Sequence, residues 1–535
     1  MLHFNQINVL HNGTPAGHIK SPQSGKSVTQ SGKLINLLNK PIYLKQNQRV
    51  IFVDLKCVPM LKRIVWLLIP VLAASCTLPA QDRQKQKTDS VSVLVQKKFN
   101  EKDVAGLYGL TGDAFKKALS YETLLSFCNN NLFPLGEIKE LHFEKEANGI
   151  CKYKSVFSTV SLSLFLGLDK TDKIETFLFK PYVDEKAKKN TKAPTSNPMV
   201  SQLDKEVDSA AQTYITLLPT TGLSIGILVN GKTYYYGYGE TARGNNQLPN
   251  EHSIYEIGSI SKTFTATLLA VAVEKGKVKL DDPVSKYFPD SIPTLEYQGA
   301  PVTLKTLSNH SSGIPRMPDN FHPADNYNPY KDYSDRDLYS FYKSFKLGRK
   351  PGAEYEYSNL AAATLGIILE KVYKKTYQDL VVEIICDPLG MNETREFIRK
   401  DDSIRFVKGY NEEGNYNSQW DFDAMAAAGS IRSSTSDMLL YANAQWGKGP
   451  AALEKAIQLT HEKTFSNGAV NTALGWHYIK PGKDEVIFHN GGTGGFRTYL
   501  AINLEKKFAV VVLSNTAISV DEMGNALMKW LEQNL

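Results

Sequence analysis

The feature that most constrains the fold is the placement of strand-like runs at the two ends of residues 200–535. A hairpin pattern, "LSIGILVNGKTYYYGYGE", stands near the start, and its Asn230-Gly231 pair is typical of a two-residue turn. A second pair of strands, "TYLAINLEKKFAVVVLSNT", stands near the end, and helical patterns fill much of the middle. This distribution predicts one antiparallel sheet that is built from both ends of a single large domain, with helices against it and a helical region between.

A second, smaller domain is predicted for residues 91–182. Apolar residues recur at helical spacing from Val91 onward, and four strand-like runs follow, which together are typical of a small α+β domain. The order of these elements resembles the cystatin-like domains that precede hydrolase domains in some bacterial proteins. Residues 183–199 lack an apolar pattern, so we interpret them as a linker, and we interpret the polar residues 81–90 as a flexible leader.

Composition excludes several classes of protein. The chain of 535 residues is 42% hydrophobic and 22% charged, as globular proteins are, and its net charge of +7 is spread out, which gives nucleic-acid binding little support. None of the five cysteines forms a CxxC pair, although Cys128 and Cys151 can pair in an oxidising compartment. The sequence contains no H-E-x-x-H motif, and we predict neither a metal nor a cofactor.

Residues 60–80 have the layout of a secretory signal peptide. Two basic residues precede an apolar run at 64–74 that is shorter than a membrane-spanning helix, and small residues follow. We therefore expect residues 1–59 to be an upstream artefact of start-site choice or a disordered leader; the alternative is that 64–74 is a buried strand or helix. Cys76 stands where a bacterial lipoprotein carries its lipid, and cleavage near Ala80 is the other possibility. We expect an exported protein of the periplasm or cell envelope, anchored to the membrane if Cys76 is lipidated.

A serine and a lysine three residues apart open a buried helix in "EIGSISKTFTATLLAVAV". Residues i and i+3 of a helix are neighbours, so Lys262 can reach the Ser259 hydroxyl, which needs a base to become a nucleophile. A lysine with an ordinary pKa of about 10.4 is no base at neutral pH unless burial or positive charge lowers that value. The same spacing at Ser340 and Lys343 we interpret as solvated helix surface.

Two further patterns carry candidate chemistry. Tyr357-Ser358-Asn359 lies on an extended approach to a helix, where a phenol could exchange a proton with Ser259, and Asn359 could hold Lys262 or a substrate amide. The similar Tyr441-Ala-Asn443 lies inside an apolar helix, and we interpret it as packing.

The last pattern, His489-Asn490-Gly491, has glycines that leave a strand edge open to a substrate backbone. The same triplet also occurs at His11, so the triplet alone does not indicate a site. At His489 it supports one because it follows the two earlier motifs within one domain.

In this order the motifs make residues 200–535 resemble the class C-like branch of the serine β-lactamase and penicillin-binding superfamily. The resemblance extends to "TLKTLSNHSSGIPRMP", "PGAEYEYSN", "ICDPLGMNET", "AAAGSIRSSTSDM" and "GGTGGF". It implies a β-lactamase/transpeptidase-like domain, and a reaction in which a carbonyl is attacked, an acyl-enzyme forms and water hydrolyses it. This branch includes β-lactamases, D-alanyl-D-alanine carboxypeptidases, D-aminopeptidases and esterases.

The resemblance also implies roles for individual residues. Ser259 would be the acylated nucleophile, and Lys262 and Tyr357 would share the work of the general base. Asn359, His489 and Gly491 would bind substrate. The backbone N–H groups of Ser259 and Gly492 would form the oxyanion hole.

The sequence departs from this pattern at His489, where class C β-lactamases usually carry lysine and carboxypeptidase and esterase relatives often carry histidine. A histidine is largely neutral at neutral pH, so the departure favours a peptidase or esterase over an efficient β-lactamase. If His489 touches substrate, kcat/KM should show a limb near its ordinary pKa of about 6.5. Arg497 either supplies the missing carboxylate contact or is an exposed structural residue. His310 and His477 are expected to be structural.

We therefore predict an exported serine hydrolase that acts on a peptide, ester or β-lactam carbonyl, most simply a D-amino-acid peptidase, carboxypeptidase or esterase. Its partners would be small molecules or peptides, including peptidoglycan stem peptides. The alternatives are a class C-like β-lactamase, a non-catalytic receptor for penicillin or peptidoglycan fragments, and a binding role for the N-terminal domain. Aromatic residues of the helical middle either form a cleft or pack: Phe321, Tyr327, Tyr330, Trp420 and Phe422.

Overall fold

The computed structural model describes residues 80–535, apart from 148, 159–160, 183–191, 218 and 469, and a pair of two-residue strands at Lys45–Gln46 and Arg49–Val50. The predicted signal peptide, Cys76 and the first His-Asn-Gly triplet lie outside the described residues. The chain divides into two compact units at Lys180 and Pro181. No helix in the described part combines the length and apolar character that a membrane-spanning helix requires.

The N-terminal unit consists of short helices followed by a four-stranded sheet in the order β1-β2-β3-β4. The first helix packs against β1 and β3, and Phe99 near its end meets Phe157 of β2 edge to face, with ring centroids 5.5 Å apart. The elements are α1 (Ala80–Asn100), α2 (Val104–Gly109), α3 (Asp113–Ala118), α4 (Tyr121–Phe127), β1 (Ile138–Ala147), β2 (Ile150–Phe157), β3 (Ser161–Leu168) and β4 (Ile174–Pro181).

Two expectations for this unit are corrected. The polarity of residues 81–90 suggests a flexible leader, but these residues belong to α1. They pack against the rest of the unit, because Asp89 accepts a hydrogen bond of 2.7 Å from the Tyr153 hydroxyl and Thr88 is fully buried. Cys128 and Cys151 are buried free thiols and form no disulfide. Burial raises the pKa of the Cys128 thiol to about 12, which makes it unreactive.

The C-terminal unit is built on an eight-stranded antiparallel sheet in which strands from the two ends of the domain pair with each other, as the sequence predicts. In spatial order the strands are β7-β8-β9-β10-β11-β12-β5-β6, and β12 pairs with β5 from Ser514↔Leu223 to Ala509↔Leu228. Their bounds are β5 (Gly222–Val229), β6 (Lys232–Gly239), β7 (Phe465–Ser466), β8 (Asn471–Thr472), β9 (His477–Ile479), β10 (Val486–Gly492), β11 (Arg497–Asn503) and β12 (Phe508–Ser514).

Helices cover both faces of this sheet and form a hydrophobic core on each. The side chains of β12 point alternately into the two cores. Val510 and Val512 pack with α5 and α15, whereas Ala509 and Val511 belong to the larger core around α6 and α9. The helices are α5 (Gln202–Ile215), α6 (Ser261–Glu274), α7 (Leu304–Ser308), α8 (Asp335–Ser344), α9 (Asn359–Tyr373), α10 (Tyr377–Val381), α11 (Asp387–Leu389), α12 (Ala426–Gly429), α13 (Thr435–Asn443), α14 (Ala451–Thr460) and α15 (Asp521–Asn534).

Residues 192–199, which the composition assigns to the linker, instead run along β6. Ser196 N–H donates to the Gly237 carbonyl at 3.0 Å, and Gly239 N–H donates to the Pro194 carbonyl at 2.9 Å. Polar side chains add to this pairing: the Thr195 hydroxyl donates to the Gly237 carbonyl, and the Gly237 N–H donates to Ser196 Oγ, both at 2.9 Å. Because these bonds are made by backbone and polar groups, no apolar pattern marks the contact in the sequence.

Candidate active site

Ser259 lies in a 3₁₀ turn, Gly258–Ile260, that leads directly into α6. Gly258 has a φ of +54°, and a Cβ at this position would lie 2.6 Å from the backbone nitrogen of Gly492 on β10. Only glycine combines that backbone conformation with that close approach. Because α6 is buried over most of its length, Ser259 is held at a defined point beside the sheet.

Lys262 is the nearest basic group to Ser259. Its Nζ lies 3.1 Å from Ser259 Oγ and donates to the Ala428 carbonyl at 2.6 Å, and only 3% of the residue is exposed. Burial, together with the positive charge of Arg316, holds the pKa of Lys262 well below its usual range. A neutral amine in this position can take a proton from the hydroxyl of Ser259.

Tyr357 completes the group. Lys262 Nζ lies 4.9 Å from the centroid of its ring. Burial raises the pKa of Tyr357 to about 12, against the opposing effects of the Arg316 charge and of a side-chain hydrogen bond with Ser259. The phenol is therefore protonated at neutral pH. Two motifs that are far apart in sequence thus place Ser259, Lys262 and Tyr357 beside one another.

The segment that carries Tyr357 is fixed by His310. The ring of His310 lies 4.4 Å from the Tyr357 ring, its Nδ1 accepts the N–H of Ser358 at 3.1 Å, and its carbonyl accepts the N–H of Glu356 at 2.8 Å. His310 itself has a φ of +62°, a conformation that is uncommon outside glycine and that concentrates at functional sites.

Asn359 begins α9 beside the same group. Its Nδ2 lies 3.7 Å from Met317 Sδ, and its Oδ1 is buried without a hydrogen-bond partner. Lys262 has Ser259 and Ala428 as its hydrogen-bond partners, and Asn359 is not among them. A contact between Asn359 and a substrate amide stays a prediction.

The glycines of β10 allow the nucleophile turn to lie directly against the sheet. A Cβ on Gly491 would lie 1.9 Å from the Ile257 carbonyl, which also accepts the Thr498 hydroxyl at 2.9 Å. The Ser259 and Gly492 backbones are therefore close neighbours, which is the arrangement that an oxyanion hole requires.

His489 is buried, with its Nδ1 2.7 Å from the Asn490 carbonyl and its Nε2 without a partner. Burial, then His477 and Lys262, lower the pKa of His489 well below its ordinary value. A limb of kcat/KM that belongs to His489 is therefore expected below pH 6.5 rather than near it.

Two histidines that the sequence suggests are only structural belong to the same cluster. The ring centroid of His477 lies 5.2 Å from that of His489 and 6.2 Å from that of His310. Tyr355 Oη lies 2.7 Å from His477 Nε2, and burial lowers the pKa of His477 to about 4. No short-range spacing signals this cluster, because its members come from separate elements.

These observations agree with comparisons to known proteins. A sequence model of the family described as "Beta-lactamase" matches residues 211–534, which is more than half of the chain. The chain belongs to the β-lactamase family. It is therefore a serine hydrolase, and its large domain has the β-lactamase/transpeptidase-like fold that the sequence predicts.

Relatives within the β-lactamase family carry two kinds of name. The chain is 28% identical over 344 residues to a "Beta-lactamase" of Pseudomonas fluorescens, covering 58% of this chain and 92% of that protein. It is also 28% identical over 309 residues to the "D-alanyl-D-alanine-carboxypeptidase/endopeptidase AmpH" of Escherichia coli (strain K12), covering 55% and 79%. A solved structure described as "A class C beta-lactamase" aligns with a TM-score of 0.56 at 26% identity, covering 63% of this chain and 98% of that one.

Several expectations about other residues are now settled. Arg497 is a structural residue, which is one of its two expected roles, but it is buried rather than exposed. It donates to the Thr493 and Phe496 carbonyls at 2.8 Å and pairs with Glu412 at 3.3 Å. Ser340 and Lys343 are exposed on α8, as expected. Tyr441 is a packing residue, as expected, and stacks on Phe264 with centroids 4.2 Å apart.

Most of the predicted aromatic residues pack together beside Asn359. Tyr330 stacks on Phe422 at 4.9 Å and lies 5.2 Å from Trp420 and 5.3 Å from Phe321, whereas Tyr327 is 59% exposed. Contact with Asn359 lowers the pKa of Tyr330, although burial raises it more. These rings thus form a wall next to the site.

Glu256 is a positioning residue that the sequence motifs do not reveal. It is fully buried three residues before Ser259, where it accepts the Trp420 N–H at 2.6 Å and the Thr493 hydroxyl at 2.5 Å, and it lies 3.7 Å from Arg432. It thereby ties the nucleophile turn to the end of β10.

We expect Gly491→Ala to abolish turnover and acylation while the fold survives, because the added methyl would collide with the Ile257 carbonyl and move β10 from Ser259. Gly348→Ala is the matched control, since a Cβ there meets nothing within 4 Å. Ester hydrolysis and fluorescent penicillin labelling measure the effect, and circular dichroism monitors folding. Unchanged rates in Gly491→Ala would contradict the close approach described here.

Proposed function

We propose that the protein is an acyl-enzyme hydrolase of D-amino-acid peptides, with esters as related substrates, and that Ser259 is its nucleophile. The observation that carries the proposal is the 3.1 Å contact between Ser259 Oγ and a buried Lys262 amine, which itself lies 4.9 Å from the centroid of the Tyr357 ring. This arrangement satisfies the requirement of a serine nucleophile for an adjacent base.

In the proposed first step, neutral Lys262 accepts the proton of Ser259 as Oγ bonds to the substrate carbonyl carbon. The carbonyl oxygen becomes an anion, which the N–H groups of Ser259 and Gly492 stabilise; such donors typically contribute about 2.7–4 kcal/mol each. When the bond to the leaving group breaks, that group takes a proton from the Tyr357 hydroxyl. Lys262 then returns a proton to Tyr357. Water then attacks the acyl-enzyme along the reverse proton route.

Two observations favour a peptidase among the reactions of this family. The first is the 28% identity to the relative that is named a D-alanyl-D-alanine-carboxypeptidase/endopeptidase. The second is the neutral His489, which cannot act as the permanent cation that its lysine counterpart provides in class C β-lactamases. A β-lactamase is the second candidate, because a relative of equal identity carries that name.

Intact mass after treatment with a fluorescent penicillin tests the nucleophile: the wild-type chain should gain one adduct, and Ser259→Ala none. A substrate panel then separates the candidates. We expect release of D-alanine from an N-acylated D-Ala-D-Ala peptide and hydrolysis of a p-nitrophenyl ester, with slow nitrocefin turnover. Rapid nitrocefin hydrolysis without D-alanine release would favour the β-lactamase, and labelling without any turnover would identify a receptor.

The acid limb of the pH–rate profile should belong to Lys262. Its active form is the neutral amine, so kcat/KM should fall as pH drops through the lowered pKa of Lys262. Burial lowers the pKa of His489 well below its ordinary value, so His489→Gln should change the level of kcat/KM but not the shape of its profile near pH 6.5. A limb near pH 6.5 that disappears in His489→Gln would show instead that His489 titrates.

Export through residues 60–80 is part of the proposal. It rests on the basic start and short apolar run of that segment. A more specific form of the proposal is that the exported protein is cleaved before Cys76 and lipidated there. The mass of the protein recovered from a bacterial host decides between the two cleavage sites: a chain that begins at Cys76 with a lipid, or one that begins near Gln81. A chain that retains residues 60–80 would refute export by this route.

A further inference from the structure

The permanent cation of the site is Arg316, in the segment that also contains His310. The Arg316 carbonyl accepts the N–H groups of Asn359 and Leu360 at 3.0 and 3.2 Å, so its backbone is fixed by the first turn of α9. Its Cζ lies 5.1 Å from the centroid of the Tyr357 ring. The guanidinium is therefore next to the candidate proton-transfer group, on a rigid support.

Within residues 192–535 as the structure describes them, the Arg316 guanidinium has neither an ion pair nor a hydrogen-bonded acceptor. The titratable groups that experience its charge are Lys262, His310, Tyr330, Tyr355 and Tyr357, and no carboxylate is among them. The side chain is only partly buried, so a ligand can reach it. Arginine binds a carboxylate through two parallel hydrogen bonds, and a partly desolvated guanidinium gains most from such a partner.

We propose that Arg316 is a specificity-determining residue that binds a carboxylate of the substrate, such as the free C-terminus of a peptide, close to the bond that is cleaved. The proposal rests on the proposed function for the identity of the substrate. It assigns to Arg316 the contact that the neutral His489 cannot make with charge and that Arg497, already paired with Glu412, is not free to make.

The test measures binding without turnover, in a Ser259→Ala background. NMR titration gives the affinity for N-acetyl-D-Ala-D-Ala and for its C-terminal amide. We expect the carboxylate form to bind more tightly, and Arg316→Gln to reduce this preference by about 10- to 100-fold, which is the range for a charged hydrogen bond. Arg316→Lys should restore part of the preference. Arg336→Gln, which removes an exposed arginine on α8, should leave it unchanged.

Comparing the two ligands in one variant cancels any general effect of the substitution on folding or on Tyr357. An equal preference in Arg316→Gln and in the parent would overturn the proposal, and so would the absence of any preference in the parent. The proposed function is tested separately by ester turnover in the chain that retains Ser259. A chain that hydrolyses esters but binds both peptides equally would thus refute the role of Arg316 and leave the acyl-enzyme reaction intact.

Discussion

The close backbone approach between Ile257–Gly258 and Gly491–Gly492 is the constraint on which the rest of the site depends. Positions 258 and 491 have no space for a Cβ, so the turn that carries Ser259 lies directly against β10. Hydrogen bonds from Thr498 and Thr493 to the backbone and side chain of this turn hold the two together. The sheet and the helical region thereby share one rigid junction, and Ser259 lies at it.

The electrostatics of the site follow from burying basic groups without a carboxylate partner. Burial drives Lys262, His310, His477 and His489 toward the neutral form. The charge of Arg316 adds to this effect on Lys262, and the charge of Lys262 adds to it on the three histidines. A neutral amine can act as a base, whereas neutral imidazoles add no repulsion toward a cation. Arg316 cannot lose its charge under ordinary conditions, which makes it the fixed positive centre to which an anionic substrate group would be drawn.

Sequence patterns identified much of the fold and the candidate chemistry, because they depend on local rules. The hairpin at Asn230-Gly231 follows from turn chemistry, and φ values of 52° and 70° occur there. Ser259 and Lys262 are neighbours through helical spacing alone. The local rules failed where contacts are made through the backbone or over long range, as at residues 192–199 along β6 and at the polar start of α1.

By itself, the sequence determined the two kinds of domain, the pairing of the terminal strands and the three motifs, since each is encoded in local spacing and apolar pattern. Only the tertiary structure decided the state and neighbours of the site's groups. Burial lowers the pKa of His489, Arg497 pairs with Glu412, His310 and His477 lie together, and Arg316 has no ion pair among the described residues. Burial and charge act through space, and a linear chain does not record which of its distant residues will be close.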